Sequence, residues 1–255
     1  MVNYLHAWYA DAPTLVFGHR GASRYAPMNT LPAFELAAAQ GAAGVELDVR
    51  LTRDGQMVII HDDTVDHTTD GSGHIQHMTF AEVRELDAGG WFGEQFKGTR
   101  IPTLDEVFEA VGSKLLINVE IKSEVPEDTG VEARIADAIA RFGLRERVIV
   151  SSFDPLALWR FRKIMPEVAI GYLHAEDIPA HVSSLMIGLA HEARHPHHTE
   201  INARYMDWAR RNDYFVNTWT VNDPARAVEL RDLGVHTLIT DTPDVLIATL
   251  GQTQS

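Results

Sequence analysis

The chain has 255 residues, of which 45% are hydrophobic and 23% charged, and its formal net charge is −14. This length suits one domain over residues 1–255, because an α/β barrel needs about 250 residues. The acidic balance disfavours nucleic acid and anionic lipid as stable partners. No apolar run is long enough to span a membrane, residues 1–13 lack a secretion signal, and cysteine is absent. We therefore expect a soluble, cytoplasmic protein.

Strands and helices alternate from the beginning of the chain, as short apolar runs and segments of helical composition follow one another. The first predicted elements are a strand at 14–17, a helix at 30–40, a strand at 44–51 and its hairpin partner at 56–60. Residues 62–101 are rich in Gly, Thr and Asp and carry only one short helical segment, at 79–86. This break in the alternation predicts a small insertion after the second strand.

Regular alternation resumes beyond residue 101. Strands are predicted at 115–121, 148–152, 168–173, near 192–197, at 214–220 and at 237–240. Helices are predicted at 104–111, 131–141, 155–165, 179–189, 202–211, 224–233 and 243–250. Eight strands in βα order predict a parallel sheet closed into a TIM (β/α)8 barrel, and the strand near 192–197 has the weakest pattern.

Carboxylates alternate with apolar residues in two of the predicted strands. Glu46 and Asp48 share one strand face, and Glu120 shares a face with Lys122 in the next barrel strand. Like charges on an inward face are costly unless a cation lies between them, and Mg²⁺ and Ca²⁺ prefer oxygen ligands. We expect these three carboxylates to bind one divalent ion, Mg²⁺ or Ca²⁺, and Lys122 to contact phosphate. The alternative is a buried ion-pair network of Glu46 and Glu120 with Arg50 and Lys122.

His19 and His61 each end a predicted strand, so a barrel brings both imidazoles to one rim. An ordinary histidine pKa near 6.5 allows one ring to accept a proton while the other donates one. Arg20 offers a planar guanidinium for two phosphate oxygens. Trp219, expected on the same strand face as Val221, either forms a wall of the substrate pocket or is an ordinary core residue.

Other polar residues near these positions carry weaker signals. His191, His195, His197 and His198 are close in sequence, but their spacing matches no structural zinc site, so we expect no separate zinc ion there. Asp62 directly follows His61 and either orients its imidazole ring or caps a turn.

Short motifs follow one another along nearly the whole chain. They are His19-Arg20-Gly21-Ala22, Asn29-Thr30-Leu31, Glu46-Leu47-Asp48-Val49, Thr52-Arg53-Asp54-Gly55, His61-Asp62, Thr68-Thr69-Asp70-Gly71, Ile101-Pro102-Thr103-Leu104, Asn118-Val119-Glu120-Ile121-Lys122, Trp219-Thr220-Val221-Asn222 and Thr240-Asp241-Thr242-Pro243. In this order they resemble the glycerophosphodiester phosphodiesterase family. The pattern departs from that family at Met28, where a glutamate is usual, and at His67, where an arginine is usual.

The resemblance implies a TIM barrel with an insertion and metal-dependent hydrolysis of a small glycerophosphodiester to glycerol 3-phosphate and an alcohol, through a cyclic phosphate. Its implied roles are metal ligands at Glu46, Asp48 and Glu120, acid–base histidines at His19 and His61, phosphate contacts at Arg20 and Lys122, and a pocket wall at Trp219. Two alternatives stay open: a phospholipase-like enzyme that releases the cyclic phosphate, and a barrel that binds a phosphorylated ligand without turnover.

Overall fold

Strands and helices alternate through the described residues, 4–12, 14–123, 129–176 and 178–252 of the computed structural model. The strands are β1 (Leu15–His19), β2 (Gly44–Leu51), β3 (Met57–Ile59), β4 (Leu116–Ile121), β5 (Val148–Ser152), β6 (Ala169–His174), β7 (Ala193–Pro196), β8 (Phe215–Thr218) and β9 (Thr237–Thr240). The helices are α1 (Tyr4–Trp8), α2 (Leu31–Ala39), α3 (Phe80–Glu85), α4 (Leu104–Val111), α5 (Val131–Phe142), α6 (Pro155–Ile164), α7 (Ala180–Ser184), α8 (Ala203–Arg211), α9 (Pro224–Leu233) and α10 (Pro243–Thr249).

Eight of the strands form a closed parallel barrel in the order β1, β2, β4, β5, β6, β7, β8 and β9, and β9 pairs with β1. The remaining strand, β3, pairs antiparallel with the end of β2. The fold is therefore a TIM barrel, which confirms the predicted fold class. The weakly predicted strand near 192–197 is β7 and completes the barrel between β6 and β8.

Strand β2 shows how one sequence pattern serves both sides of the barrel wall. Val45, Leu47 and Val49 are fully buried and point outward into the apolar layer between strands and helices. Glu46 and Asp48 alternate with them and point inward. The inward carboxylates therefore depend on an outward face that packs against the helices.

Helix starts follow local capping signals. The hydroxyls of Thr79 and Thr103 form capping boxes with the glutamates three residues later, at the starts of α3 and α4. Asp154 and Asp223 cap α6 and α9, each followed by proline in the first turn. These signals fix the residue at which each loop ends and the following helix begins.

Helix α1, which the sequence pattern does not predict, lies at the end of the barrel where the strands begin. Leu5 is fully buried there against Ile149, Ala169 and other inward residues. The hydroxyl of Tyr4 donates to the carbonyl of Val148 at 2.6 Å and accepts from the amide of Ala169 at 2.8 Å. The helix has five residues and no acidic residue in its first turn, so periodicity and capping give no signal for it.

A histidine fills the middle of the barrel. His195 is fully buried, its Nε2 accepts a hydrogen bond from the amide of Asn217 at 3.0 Å, and burial lowers its pKa to about 3. A Cβ atom at Gly171, on the neighbouring strand, would lie 2.3 Å from the same Nε2. Glycine at position 171 therefore makes room for a neutral imidazole in the core.

Two predicted elements end earlier than expected. The helix predicted at 179–189 covers only Ala180–Ser184, because two serines at its end favour turns and Gly188 takes a left-handed conformation. The strand predicted at 214–220 ends at Thr218, so Val221 does not share a strand face with Trp219. Val221 is instead buried in the apolar layer outside the barrel.

Residues between β3 and α4 contain no barrel strand, and α3 confirms the short helix predicted there. The apolar side chains of this segment form a small cluster of their own, including Val65, Ile75 and Val83. Across the described residues, no helix combines the length and the apolar character that membrane crossing requires.

His236 predicts a measurable pH dependence of stability. Its Nδ1 accepts from the amide of Val216, and burial, followed by the charge of Arg210, lowers its pKa to about 4. Between this value and the unfolded pKa near 6.5 the unfolded chain binds more protons, so stability falls as the pH falls. Urea unfolding at pH 7.5 and at pH 5.0 measures this effect. Between these two pH values, we expect the free energy of unfolding of His236→Asn to fall by about 2 kcal/mol less than that of the wild-type protein.

The matched control for this measurement is His77→Asn, because His77 is an exposed histidine of the segment between β3 and α4. It is expected to keep the wild-type pH dependence. Identical pH dependence in all three proteins would show that His236 binds a proton as readily in the folded state as in the unfolded state.

Candidate active site

Three carboxylates meet where the barrel strands end. Glu46 and Asp48 project from β2 and Glu120 from β4, and the register pairs Asp48 with Glu120. All three are buried, and each offers an oxygen within 4.8 Å of the others. Asp48 Oδ1 is buried without a hydrogen bond in the described part of the chain, although Lys122 Nζ lies 3.4 Å away. Such a set of oxygen atoms fits one hard divalent cation.

Two cationic side chains border the carboxylates. Lys122 Nζ lies 2.7 Å from Glu120 Oε1, and Arg20 Nε lies 3.3 Å from Asp48 Oδ2. The buried ion-pair network, which was the alternative interpretation of these residues, is therefore present in part. Its ion pairs lie around a cluster of three carboxylates that is also suited to a metal. We infer that Arg20 and Lys122 compensate for repulsion among the acids and face the same space as the candidate ion.

The carboxylates differ in protonation tendency because their charged neighbours differ. Burial raises the pKa of Glu46 well above its usual range, and the charges of Asp48 and Glu120 add to this rise. Burial also raises the pKa of Glu120, against the opposing charge of Lys122. Burial opposes ionisation of Asp48 too, but Lys122 and Arg20 outweigh it and hold the pKa of Asp48 below its usual range. Of the three carboxylates, Asp48 is therefore the one whose charged form is most favoured.

His19 is oriented by a carboxylate that the sequence analysis did not single out. Its Nδ1 lies 2.7 Å from Asp241 Oδ1, and its Nε2 lies 4.0 Å from Glu46 Oε2. Asp241 also accepts from Ser23 and Asn222. Although burial opposes it, hydrogen bonding to His19 lowers the pKa of Asp241 to about 2, so this carboxylate stays ionised.

His61 has a similar arrangement with a neighbouring carboxylate. Its Nδ1 lies 2.7 Å from Asp62 Oδ1, which supports the orienting role considered for Asp62. His67 Nδ1 lies 3.2 Å from the other oxygen of Asp62, so the residue that departs from the family pattern contacts this pair. Burial, with the charges of Lys122 and Arg20, lowers the pKa of His61 despite nearby Asp48.

The loop after β1 supplies a further contact that sequence reasoning missed. Asn29 donates from Nδ2 to Asp48 Oδ2 at 2.8 Å and has a φ of 58°, in a region that asparagine tolerates better than most residues. The Asn-Thr motif was the available signal, since it falls directly before α2. Met28 lies next to it, and Arg20 Nη1 is 3.4 Å from the Met28 sulfur. A thioether therefore takes the place where the family usually has a carboxylate.

Trp219 lies at the same rim, half-buried, and its indole N–H donates to the carbonyl of His195 at 2.9 Å. Its ring meets Phe153 and His197 edge to face, with centroid distances of 5.4 and 5.1 Å.

The structure thus gathers every predicted site residue at one end of the barrel. The site also includes Asp241, Asn29 and Asp62, to which the sequence analysis gave no firm role.

A TIM barrel whose rim carries three clustered carboxylates, two carboxylate-paired histidines and two cations has the features of a metal-assisted phosphoryl-transfer enzyme. Residues 19–245 match the model of the glycerophosphoryl diester phosphodiesterase family. The chain belongs to this family, which confirms the resemblance drawn from its motifs.

Individual relatives agree with this assignment. The chain is 41% identical over 237 residues to a glycerophosphodiester phosphodiesterase of Caldanaerobacter subterraneus, covering 92% of this chain and 96% of that protein. Its structure is similar, with a TM-score of 0.83 and 32% identity, to an Oleispira antarctica phosphodiesterase solved with the product sn-glycerol-3-phosphate; 96% of this chain and 99% of that chain are covered. A glycerophosphodiester phosphodiesterase from Agrobacterium tumefaciens gives a TM-score of 0.78 at 31% identity, covering 92% and 99% of the two chains.

Proposed function

We propose that this protein hydrolyses glycerophosphodiesters to glycerol 3-phosphate and an alcohol, with a divalent ion and two acid–base histidines. The observation that carries the proposal is the pairing of His19 with Asp241 and of His61 with Asp62. In each pair a carboxylate contacts Nδ1, which leaves Nε2 for proton transfer. The product bound to the Oleispira relative supports glycerol 3-phosphate as the phosphate-containing product.

The proposed reaction needs two proton transfers at phosphorus. The glycerol hydroxyl beside the phosphate attacks phosphorus, and one histidine accepts its proton. The bond between phosphorus and the alcohol oxygen breaks, and the other histidine protonates that oxygen. Water then opens the cyclic phosphate, with the two histidines exchanging roles. Arg20 and Lys122 stabilise the negative charge on the phosphoryl oxygens.

Glu46, Asp48 and Glu120 would hold the divalent ion, Mg²⁺ or Ca²⁺, since their oxygens converge and one buried oxygen of Asp48 lacks a hydrogen bond in the described residues. When bound, such an ion supplies positive charge that lowers the barrier to phosphoryl transfer. Asn29 keeps Asp48 in position by donating to its second oxygen.

A panel of glycerophosphodiesters and simple phosphodiesters, each with Mg²⁺, Ca²⁺, Mn²⁺ or chelator, tests the proposal. We expect turnover of glycerophosphodiesters only, and only with metal. Phosphorus NMR distinguishes the alternatives: glycerol 3-phosphate as end product supports the proposal, and accumulation of cyclic phosphate identifies the phospholipase-like reaction. Absence of turnover with every metal identifies a barrel that only binds phosphorylated ligands.

Arg50 gives a prediction about the position of His61. It donates from Nε and Nη2 to the carbonyl oxygen of His61, at 2.8 and 2.6 Å. Lysine keeps the charge but loses this two-atom contact. We expect Arg50→Lys to lower kcat by about 10²-fold with little change in KM, because a displacement of about 1 Å costs that much.

The matched control is Arg53→Lys, because Arg53 donates to the carbonyl of His77 in the same segment, away from the carboxylates. It should leave kcat unchanged. If Arg50→Lys retained full kcat while Arg50→Met lost it, the charge of Arg50 rather than its contact with His61 would be the important property.

A further inference from the structure

One methionine lies outside the apolar clusters that hold the others. Five of the six methionines in the described residues pack in these clusters: Met57, Met78, Met165, Met186 and Met206. The last three of them are buried, and the first two are half-buried. Met28 is also half-buried, but it belongs to none of the apolar clusters of the described residues. Methionine ordinarily fills gaps in apolar cores, so its thioether is unusually placed here.

The sulfur of Met28 lies beside the proposed reaction centre. Arg20 Nη1 donates to it at 3.4 Å, and Arg20 is one of the two cations that would stabilise the phosphoryl oxygens. The same guanidinium reaches Asp48 Oδ2 through Nε, at 3.3 Å. Thioether sulfur is a weak acceptor, so a phosphate oxygen competes successfully for the Nη1 donor.

A small oxidant has access to this sulfur. Met28 lines a cavity of about 20 Å³ together with His61 and Asp62, which is room for about one molecule of the size of water. Hydrogen peroxide is only slightly larger than water. The chain contains no cysteine, so its methionine thioethers are the sulfur atoms that a peroxide can oxidise.

We propose that Met28 is a site of reversible oxidation by hydrogen peroxide, and that its sulfoxide weakens phosphate binding by Arg20; the effect on phosphate rests on the proposed function. A lone pair of the sulfur attacks one peroxide oxygen, and the O–O bond breaks. The attacked oxygen passes its proton to the departing hydroxide, which leaves as water. The sulfur is oxidised by two electrons to the sulfoxide, and the peroxide is reduced.

The sulfoxide changes which acceptor Arg20 meets. Its oxygen is one bond from the sulfur and carries a partial negative charge, so it is a much stronger acceptor than a thioether. Arg20 Nη1 then donates to this oxygen rather than to a phosphate oxygen. Because a hydrogen bond from a charged donor is lost, we expect phosphate to bind about 10-fold more weakly.

The test measures the affinity for glycerol 3-phosphate by calorimetry in Mg²⁺, before and after treatment with hydrogen peroxide. Mass spectrometry of tryptic peptides follows each methionine. We expect Met28 to be oxidised ahead of the three buried methionines, and the affinity to fall about 10-fold. Methionine sulfoxide reductases should restore the affinity. In Met28→Leu, which keeps a similar volume without sulfur, treatment should leave the affinity as it was before treatment.

Met57→Leu is the matched control, because Met57 is equally half-buried but packs in the apolar layer between strands and helices. This variant should lose affinity on treatment as the wild-type protein does. An equal loss in Met28→Leu, or an unchanged affinity in wild-type protein whose Met28 is oxidised, would overturn the proposal. So would a Met28 that stays unoxidised while Met57 or Met78 reacts.

Failure of the proposed function gives a different result. If the untreated protein binds no glycerol 3-phosphate, the phosphate contact of Arg20 is wrong, and the effect of oxidation on affinity falls with it. The modification is then decided by mass spectrometry together with the nitrogen-15 NMR signals of the Arg20 guanidinium. A change in these signals that accompanies oxidation of Met28 supports the oxidation site, and unchanged signals overturn it.

Discussion

Replacing His61 by alanine is expected to lower kcat for a glycerophosphodiester by about 10²- to 10⁴-fold, the usual contribution of one acid–base group. The imidazole is held by Asp62 and lies beside the carboxylate group without belonging to it. Binding of the divalent ion should therefore stay close to that of the wild-type protein. Steady-state kinetics and a calorimetric metal titration measure the two properties separately.

His77→Ala is the appropriate control for this substitution, since it removes an exposed imidazole from the same segment. Its kcat should equal that of the wild-type protein. Near-normal turnover of glycerophosphocholine by His61→Ala would rule out His61 as an acid–base residue. A His61→Ala protein that no longer binds metal would instead indicate a role in building the carboxylate site.

Exchanging Asp48 for asparagine is expected to weaken metal binding by more than about 10²-fold. This loss is larger than the loss expected when a residue that only hydrogen-bonds to a metal ligand is removed. Asp48 is the centre of the charged cluster, contacted by Asn29, Arg20 and Lys122. Removing its charge also leaves two cations less compensated in a buried position. Turnover should fall by about 10³-fold.

Asp207→Asn serves as the control, because Asp207 is an exposed acid on α8 and pairs only with Arg210 among the described residues. Its metal affinity and turnover should match the wild-type values. Chelation of the wild-type protein offers an independent measurement, and full activity after exhaustive chelation would contradict any metal role for the three carboxylates.

The cluster of three carboxylates was predictable because it depends on the alternation of inward and outward residues along single strands. Glu46 and Asp48 are two residues apart in one strand, and Glu120 occupies the inward face of the next strand of the barrel. Two-residue periodicity and the order of strands were sufficient to place these oxygens together. The strand-end positions of His19 and His61, together with the resemblance, gave both histidines acid–base roles, which stay predictions until the variants are measured.

Contacts between distant parts of the chain were not predictable in the same way. Asp241 orients His19 from 222 residues away, and the contact exists only because β9 closes the barrel against β1. The predicted strand face of Val221 was also wrong, because β8 ends at Thr218 and Val221 lies outside the barrel. Periodicity indicates which face a residue occupies, but not where the regular backbone stops.

The tyrosines around helix α1 have a consequence for the order of folding. Tyr4 contacts Val148 across 144 residues, and the hydroxyl of Tyr9 lies 3.0 Å from the Thr237 hydroxyl across 228 residues. Residues 4–9 emerge from the ribosome before every barrel strand, yet their partners are synthesised much later. Because such non-local contacts form slowly, we expect α1 to dock late, with its apolar side exposed until the barrel strands that cover it have formed.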